Sequence, residues 1–207
     1  MKSLNGVAVA AAWSVLALGG IAHAQEAVQW RVEDGGNGHW YADAQCSGTW
    51  PDSRDFAVSV GGYLATLVSP PEHTFVTTHI PLIEGYWIGG YQDVSAPDFA
   101  EPAGGWRWVS GEAFRWAAWG SGQPDNYAGD QRYLRLAHSS IDDLGEAHAC
   151  GILVSHLLIE YSADCNGDWI VDYGQILDGT FEDANGNGVP DCCDEGVDCD
   201  PCLGDVN

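Results

Sequence analysis

Positive charge is almost absent from this sequence. Seven Lys and Arg residues stand against thirty Asp and Glu residues, the formal net charge at pH 7 is −23, and the single lysine is Lys2. Proteins that bind nucleic acids neutralise phosphates with clustered Lys and Arg side chains. The composition therefore argues against a nucleic-acid-binding protein.

Long hydrophobic runs are also lacking, except near the N terminus. Residues 6–21 are apolar apart from Ser14, follow Lys2, and precede Ala22-His23-Ala24, which is a small-x-small cleavage site. This stretch is shorter than the roughly 20 residues that a membrane span needs, and no positive cluster follows it. We predict that residues 1–24 form a signal peptide rather than a membrane anchor. We also expect that no other segment spans a membrane. The mature chain should therefore be extracellular, either secreted or at the cell surface.

The sequence lacks the common signatures of enzymes. It has no G-x-S-x-G motif, no Walker loop and no Rossmann glycine pattern. The spacing of His148 and Cys150 does not suit a zinc pair. We therefore expect a binding protein without enzymatic activity.

Cations disappear altogether after residue 163. Residues 25–163 contain 18 acidic residues and six arginines, whereas residues 164–207 contain 12 acidic residues and no Lys, Arg or His. Apolar residues in the second segment are too sparse for an ordinary core, so it must be disordered, stapled by disulfides or folded around metal. We predict three parts: a signal peptide at 1–24, a globular domain at 25–163 and an acidic tail at 164–207.

Local signals in the globular domain alternate between helix and strand. Thr49, followed by Pro51 and Asp52, predicts the N-cap of a helix of about ten residues that ends at Gly61-Gly62. Residues 69–72 match the S-x-x-E capping box and open a second helix, which extends to about residue 79. Short strands are predicted at 63–68, 86–90, 106–109, 133–136 and 157–161. The fold class is therefore α+β.

Hard oxygen ligands are concentrated in one loop. Gln123 and Asp125 flank Pro124, and a cis peptide before this proline lets both side chains point to one side of the backbone. Asp142 and Asp143 follow at the start of a strand candidate, with Asp130 between the two groups. Because Ca²⁺ takes six to eight oxygen ligands, these residues are candidate calcium ligands.

Seven short motifs follow one another along the globular domain. They are Gly62-Tyr63-Leu64-Ala65-Thr66, Trp87-Ile88-Gly89-Gly90, Gly105-Trp106-Arg107-Trp108, Trp119, Gln123-Pro124-Asp125, Tyr133-Leu134 and Ile159-Glu160-Tyr161-Ser162. Taken in this order, they resemble the C-type lectin domain, and the resemblance covers almost all of residues 36–162. The resemblance implies a C-type lectin-like fold with two helices, short antiparallel strands and a long calcium-binding loop region.

The resemblance also assigns roles in calcium binding. In that family a calcium ion sits in the loop region, and two neighbouring hydroxyls of a sugar complete its coordination. By this likeness Gln123 and Asp125 are the first two ligands, while Asp142 and Asp143 occupy the Asn-Asp of the usual Trp-Asn-Asp motif, with Ile141 in place of the Trp.

One ligand position is ambiguous. Counting back from Tyr133 puts Gln131 at the place of the intervening acidic ligand, while chemistry favours Asp130 because a carboxylate is the better calcium ligand. We choose Asp130.

The order Gln-Pro-Asp resembles that of lectins that prefer galactose-type sugars. Tyr127 falls where such lectins often place an aromatic ring against the sugar. Asp142, however, replaces an Asn whose amide donates to the ligand, and a carboxylate cannot donate. The predicted function is calcium-dependent glycan binding through Gln123, Asp125, Tyr127, Asp130 and Asp142. The alternative is a calcium-pinned adhesion module that binds a cell-surface protein and contacts no sugar.

Two stretches of the acidic tail repeat one spacing, nineteen residues apart. Oxygen side chains at positions 1, 3, 5 and 9, with a carbonyl from position 7, form the ligand set of an EF-hand-type calcium loop. We name residues 164–175 the first tail loop and residues 183–194 the second. The predicted ligands are Asp164, Asn166, Asp168, Ile170, Asp172, Asp183, Asn185, Asn187, Val189, Asp191 and Asp194.

The second tail loop should be the better formed. It has Asp194 at position 12 and Gly188 at the sharp turn, where the first loop has Gln175 and Trp169. With their nearby cysteines, the loops resemble thrombospondin type 3 or dockerin-like calcium repeats, which implies a spacer stiffened by Ca²⁺.

The sequence has seven cysteines, an odd number, so they cannot all pair with one another. Two cysteine positions that are common in C-type lectin domains hold Ala57 and Ile159 here. Cys46 and Cys150 remain as a candidate disulfide, although the sequence alone does not fix the pairing.

Overall fold

The computed structural model describes residues 27–46, 48–81, 85–146, 148, 151, 153–197 and 199. The expected signal peptide at 1–24 lies outside these residues, and so does the expected Cys46–Cys150 pairing, because Cys150 is not among them. Within the described residues, no helix has the length and apolar character needed to cross a membrane.

The described residues fold around an eight-stranded sheet. Its path runs β1-β2-β8-β4-β6-β7, with β3 paired to β8 and β5 paired to β4. The β4–β8 pair is parallel, and the other pairs are antiparallel. The strands are β1 (Val28–Gln29), β2 (Trp40–Gln45), β3 (Tyr63–Leu64), β4 (Gly85–Gln92), β5 (Trp106–Trp108), β6 (Gln131–Ala137), β7 (Ser140–Gly145) and β8 (His156–Tyr161).

Two α-helices precede β4 in the described part of the chain, and both begin at the predicted caps. In α1 (Trp50–Ser59), Thr49 Oγ1 accepts a hydrogen bond from the Asp52 N–H while the Asp52 carboxylate accepts one from the Thr49 N–H, which completes a capping box. In α2 (Pro70–His79), Ser69 Oγ accepts from the Glu72 N–H. The α+β prediction is confirmed, although the strand expected at 63–68 spans only β3.

The glycine pair of β4 explains the Trp-Ile-Gly-Gly motif. A Cβ on Gly90 would lie 2.2 Å from Leu134 Cδ1, and a Cβ on Gly89 would lie 2.3 Å from the Leu64 carbonyl oxygen. Trp50 Nε1–H donates to the Ile88 carbonyl at 2.7 Å, which ties α1 to the same strand. The glycines therefore allow the close packing that joins the helices, β4 and β6 into one core.

A network of polar side chains is buried between α2, β2 and β8. Glu160 is fully buried and Glu72 is 2% exposed. Tyr41 Oη–H donates to Glu72 Oε1 at 2.7 Å, and His39 Nδ1 lies 2.6 Å from Glu160 Oε1. Burial raises the pKa of Glu72 to about 7. The Glu72 side chain thus enters this network and does not complete the capping box that its spacing predicts.

The tail has little regular structure of its own. Its described part contains two short helices, α3 (Asp172–Leu177) and α4 (Asp191–Asp194). Disulfides join Cys165 to Cys193 and Cys192 to Cys199. Among the three possibilities left open by the sequence, disulfide stapling is therefore present in the described part of the tail.

Candidate functional site

The long loop, residues 109–130 between β5 and β6, meets β7 at Asp143. The Asp143 side chain is 1% exposed, and its carboxylate accepts hydrogen bonds from the N–H groups of Asp125 at 3.0 Å and Asn126 at 2.8 Å. Burial raises the pKa of Asp143, against the effect of these hydrogen bonds, and the charge of Asp125 adds to the rise. Asp143 and Asp125 therefore come together as the sequence predicts.

Gln123 contributes an unsatisfied oxygen to the same loop. The Gln123-Pro124 peptide is cis, and the Gln123 N–H donates to the Gly120 carbonyl. Its side-chain Oε1 is buried and has no hydrogen-bond partner in the described part of the chain. A buried amide oxygen without a partner costs about 1–3 kcal/mol, so a cation or a hydroxyl donor at this position would remove that cost.

The structure does not bring Asp142 to this group. Successive residues of a strand point to opposite faces, so Asp142 faces away from Asp143 and pairs with Arg135. Arg135 Nε–H donates to Asp142 Oδ1 at 2.8 Å, and a second bond joins the Arg135 Nη2 to Asp142 Oδ2. The expectation that adjacent Asp142 and Asp143 serve one ion overlooked this alternation, and we omit Asp142 from the revised set.

Asp130 also lies apart from the group, and Gln131 takes the interior position. The Asp130 carboxylate is against Gly145 and lines a shallow cavity of about 270 Å³ with Arg132, Tyr133 and Glu146. Gln131 is 7% exposed. Its Oε1 accepts from the Tyr127 N–H at 2.5 Å, and its N–H donates to Asn126 Oδ1 at 3.1 Å. The count back from Tyr133 pointed to Gln131, which is the buried residue of the two, whereas the preference for a carboxylate pointed to Asp130, which is exposed.

Tyr127 stands at the exposed surface of the long loop. Its side chain is 76% exposed, and its N–H donates to both Asp125 Oδ1 and Gln131 Oε1. The ring is therefore available to a ligand while its backbone is fixed to the candidate site.

The two tail loops share one hydrogen-bond pattern. At position 1, Asp164 Oδ2 accepts from the N–H of residue 169 at 3.0 Å, and Asp183 Oδ2 accepts from the N–H of residue 188 at 2.9 Å. At position 5, Asp168 Oδ1 accepts from the Ile170 N–H and Asn187 Oδ1 accepts from the Val189 N–H. The loops thus have equivalent backbones, as their common spacing predicts.

Position 9 is equivalent in both loops as well. The N–H of Asp172 donates to the Ala163 carbonyl and that of Asp191 donates to the Glu182 carbonyl, each at 2.8 Å. The two carboxylates accept from the N–H groups of Cys165 and Ala184 respectively. Each aspartate therefore closes its loop onto the residues at its start.

The side chain at position 12 of each loop forms hydrogen bonds with side chains earlier in the same loop. Asp194 Oδ2 accepts from Asn185 Nδ2 at 3.0 Å and from Asn187 Nδ2 at 2.7 Å. In the first loop Gln175 Nε2 donates to Asp168 Oδ2 at 2.6 Å. The predicted side-chain ligands of each loop therefore converge.

Two buried oxygens in the first tail loop support a cation there. Asp172 is 1% exposed and Gln175 is 4% exposed. Asp172 Oδ1 and Gln175 Oε1 have no hydrogen-bond partner among the described residues. Burial raises the pKa of Asp172, and the charges of Asp164 and Asp168 add to the rise. A bound cation would satisfy both oxygens and offset that repulsion, so the donor set fits calcium.

The sequence and the structure are similar to those of known proteins. No family model matches the chain. The mouse C-type lectin domain family 4 member G is 25% identical over 104 residues, which are 50% of this chain and 34% of that protein. The Type-2 ice-structuring protein of Hemitripterus americanus is 33% identical over 79 residues, which are 38% of this chain and 42% of that protein. The chain thus spans less than half the length of either relative.

A solved structure is similar over most of the domain. The C-type carbohydrate-recognition domain of cow CD23, crystallised in the presence of a GlcNAc2Man3 oligosaccharide, has a TM-score of 0.51 at 19% identity. The match covers 62% of this chain and 92% of that one. The chain therefore has the C-type lectin-like fold. Proteins with this fold include carbohydrate-binding lectins and ice-structuring proteins, and the similarities indicate no family of enzymes.

Proposed function

We propose that the domain binds Ca²⁺ at the long loop and binds carbohydrate through the bound ion. The protein ligands would be Gln123, Asp125, Gln131 and Asp143. The observation that carries the proposal is the buried Oε1 of Gln123, which has no hydrogen-bond partner among the described residues and lies two residues before Asp125, whose N–H donates to Asp143. When bound, calcium would supply coordination positions for neighbouring hydroxyls of a sugar.

The charge of the whole chain supports the same proposal. A net charge of −23 attracts divalent cations and opposes the close approach of carboxylates. Asp125 and Asp143 nevertheless approach each other, and Asp143 does so in a buried position. A cation at this point would relieve the repulsion.

A galactose-type sugar is the proposed ligand class. The Gln-Pro-Asp order and the exposed ring of Tyr127 support it. Galactose should compete for glycan binding more strongly than mannose. Tyr127→Ala should weaken sugar binding while leaving calcium affinity unchanged, because only the ring is lost.

A glycan array with the full chain, in millimolar Ca²⁺ and in EDTA, tests the proposed function. Asp125→Asn should weaken calcium binding at the long loop at least about tenfold and abolish glycan binding. Asp130→Asn makes the same change of charge at a carboxylate that lies outside the group, so calcium binding should remain. Equal losses in the two variants, or glycan binding that persists in EDTA, would contradict the proposal.

A second candidate function is adhesion to a protein, with calcium as a structural pin and no sugar contacted. The Asp142–Arg135 pair favours it, because this side chain has no amide donor and is committed to arginine. Calcium binding by the long loop without any glycan signal would favour this candidate. Recovery of glycan binding in Asp142→Asn would then show that the native residue prevents it.

We also propose that the tail loops bind Ca²⁺ and that the chain is secreted. The repeated hydrogen-bond pattern and the buried oxygens of Asp172 and Gln175 support the first proposal. Asp183→Asn should remove one bound ion in a calorimetric calcium titration, while Asp178→Asn, outside both loops, should not. The leader pattern at 1–24 supports the second proposal, and the secreted form should begin at Gln25 by mass spectrometry.

A further inference from the structure

The first tail loop is packed directly against the lectin-like domain. Tyr173, at position 10, stacks on Tyr161 of β8 with ring centroids 3.8 Å apart and an interplanar angle of 9°, and it meets the edge of Trp40 in β2. Tyr161 is 3% exposed, and burial raises its pKa. Aromatic pairs of this kind contribute more than their buried area alone. Tyr173, the residue next to the predicted ligand Asp172, is thus packed against the domain core.

The second tail loop meets the domain at a different point. Gly188, at its sharp turn, lies under the C-terminal end of α1. A Cβ on Gly188 would be 2.1 Å from the Val60 carbonyl oxygen, and a Cβ on Gly61 would be 2.5 Å from the Gly188 carbonyl oxygen. Both glycines have left-handed φ angles, +78° at Gly188 and +75° at Gly61. This contact tolerates a side chain at neither position.

A disulfide joins the two loops. Cys165 occupies position 2 of the first loop and pairs with Cys193 at position 11 of the second. A displacement of either loop is therefore transmitted to the other. The two contacts with the domain, at β8 and at α1, act on one connected unit.

We propose that calcium binding by the tail loops and folding of the lectin-like domain are coupled through these contacts. The inference rests on the proposed calcium function of the tail. The α1 end holds the turn of the second loop in the conformation that the ligand set needs, and the Tyr161–Tyr173 stack holds the first loop. Because coupling between two equilibria is reciprocal, the domain raises the calcium affinity of the tail, and calcium in the tail stabilises the domain.

A pair of glycine variants of the full chain tests this coupling. Gly61→Ala and Gly111→Ala both introduce a left-handed alanine, at φ +75° and +83°. At position 61 the new Cβ meets Gly188, while at position 111 it meets no described atom within 4 Å. Gly61→Ala should weaken tail calcium affinity at least about fivefold, a typical coupling, and should reduce the calcium-dependent rise in Tm. Gly111→Ala should leave the calcium affinity of the tail unchanged.

A second pair keeps the test available if Gly61→Ala fails to fold. Tyr173→Ala removes the stack on Tyr161, and Leu177→Ala alters a side chain of the same helix that is 55% exposed. Only Tyr173→Ala should reduce the calcium-dependent rise in Tm. Equal calcium responses within both pairs would overturn the coupling.

The double variant Asp183→Asn, Asp191→Asn separates the coupling from the calcium sites themselves. If the double variant binds as many ions as the unaltered chain, the second tail loop is not a calcium site, and both that proposal and the coupling are overturned. If it binds fewer ions while Gly61→Ala and Gly111→Ala respond equally, the site stands and the coupling alone is wrong.

Discussion

Among single residues, Trp169 has the backbone conformation that most clearly costs free energy. It occupies position 6 of the first tail loop with φ +70°, and its side chain is 95% exposed. A left-handed conformation costs a residue other than glycine about 1–2 kcal/mol, and little packing offsets it here. Gly188 holds the same position in the second loop without that cost.

Trp169→Gly should therefore increase the calcium affinity of the first tail loop by about fivefold, equivalent to roughly 1 kcal/mol. Trp169→Ala is the matched control, since it removes the ring and keeps the left-handed strain. Calorimetric titration of both variants measures the difference. An equal gain in the two variants would attribute the effect to the ring and contradict the backbone explanation.

Asp142 has a structural role in this account. Its pair with Arg135 is largely shielded, with side-chain exposures of 20% and 15%. Asp142→Asn should lower the free energy of unfolding by about 1–3 kcal/mol, since it weakens charge-assisted hydrogen bonds. Calcium affinity at the long loop should not change. Urea denaturation and calcium titration of one sample check both parts, and a loss of calcium binding would return Asp142 to the ligand set.

At the scale of elements, position 12 distinguishes the two tail loops. Gln175→Glu should raise the calcium affinity of the first loop about tenfold, because a carboxylate at position 12 is the stronger calcium ligand. In EDTA the same change should lower Tm, since a carboxylate would be added beside Asp168 and Asp172. Asp194→Asn in the second loop should weaken calcium binding. Melting curves with and without Ca²⁺ measure these shifts, and a rise in Tm in EDTA would contradict the argument.

The buried network between α2, β2 and β8 predicts a pH dependence. The pKa of Glu72 is about 7 in the folded chain and 4.5 in its reference state, so the folded state binds this proton more tightly. Burial alone lowers the pKa of His39, but its hydrogen bond to Glu160 raises it overall. The contribution of Glu72 to the free energy of unfolding is fully present below about pH 4.5 and is lost as pH rises through 7. The contribution of His39 is lost as pH rises above 6.5.

Stability in EDTA should therefore fall between pH 5 and pH 8, by up to roughly 3 kcal/mol from Glu72. Glu72→Gln should flatten this dependence, although it lowers stability at pH 5. Glu33→Gln, on an exposed side chain, should keep the full slope. Urea denaturation across this pH range measures both, and an unchanged slope in Glu72→Gln would assign the dependence to other groups.

Elements with local signals could be predicted from the sequence. The caps of α1 and α2 depend on residues within three positions of each other, so Thr49 and Ser69 were recognisable. The strand β2 was not predicted, because its Trp-Tyr-Ala-Asp-Ala-Gln sequence carries weak strand propensity and it pairs with β8, more than 100 residues away. β3 is short for a similar reason, since only two of its residues find a partner strand.

The candidate site was predictable as a region and less so residue by residue. Asp125 and Asp143 come together, and Gln123 lies two residues before Asp125, because the order of the motifs along the chain brings the long loop to β7. The side that Asp142 faces depends on the pairing of β7 with β6, and the choice between Asp130 and Gln131 depends on the register of β6. Tertiary pairing sets both, and no local pattern reveals it.

At the scale of the whole molecule, carboxylates outnumber cations at the long loop and in both tail loops. A net charge of −23 disfavours the compact state unless cations bind. The tail also lacks a core of ordinary size. Its convergent oxygens, the Cys165–Cys193 and Cys192–Cys199 disulfides of its described part and its contacts with the domain hold its shape. The proposed function and the proposed coupling therefore both depend on divalent ions at these oxygens.

The decisive experiment is a calorimetric calcium titration of the full chain. We expect saturable binding of one ion at the long loop and one in each tail loop, with Asp125→Asn and Asp183→Asn each removing one. A titration without saturable binding in the millimolar range, or an ion count that both variants leave unchanged, would contradict it.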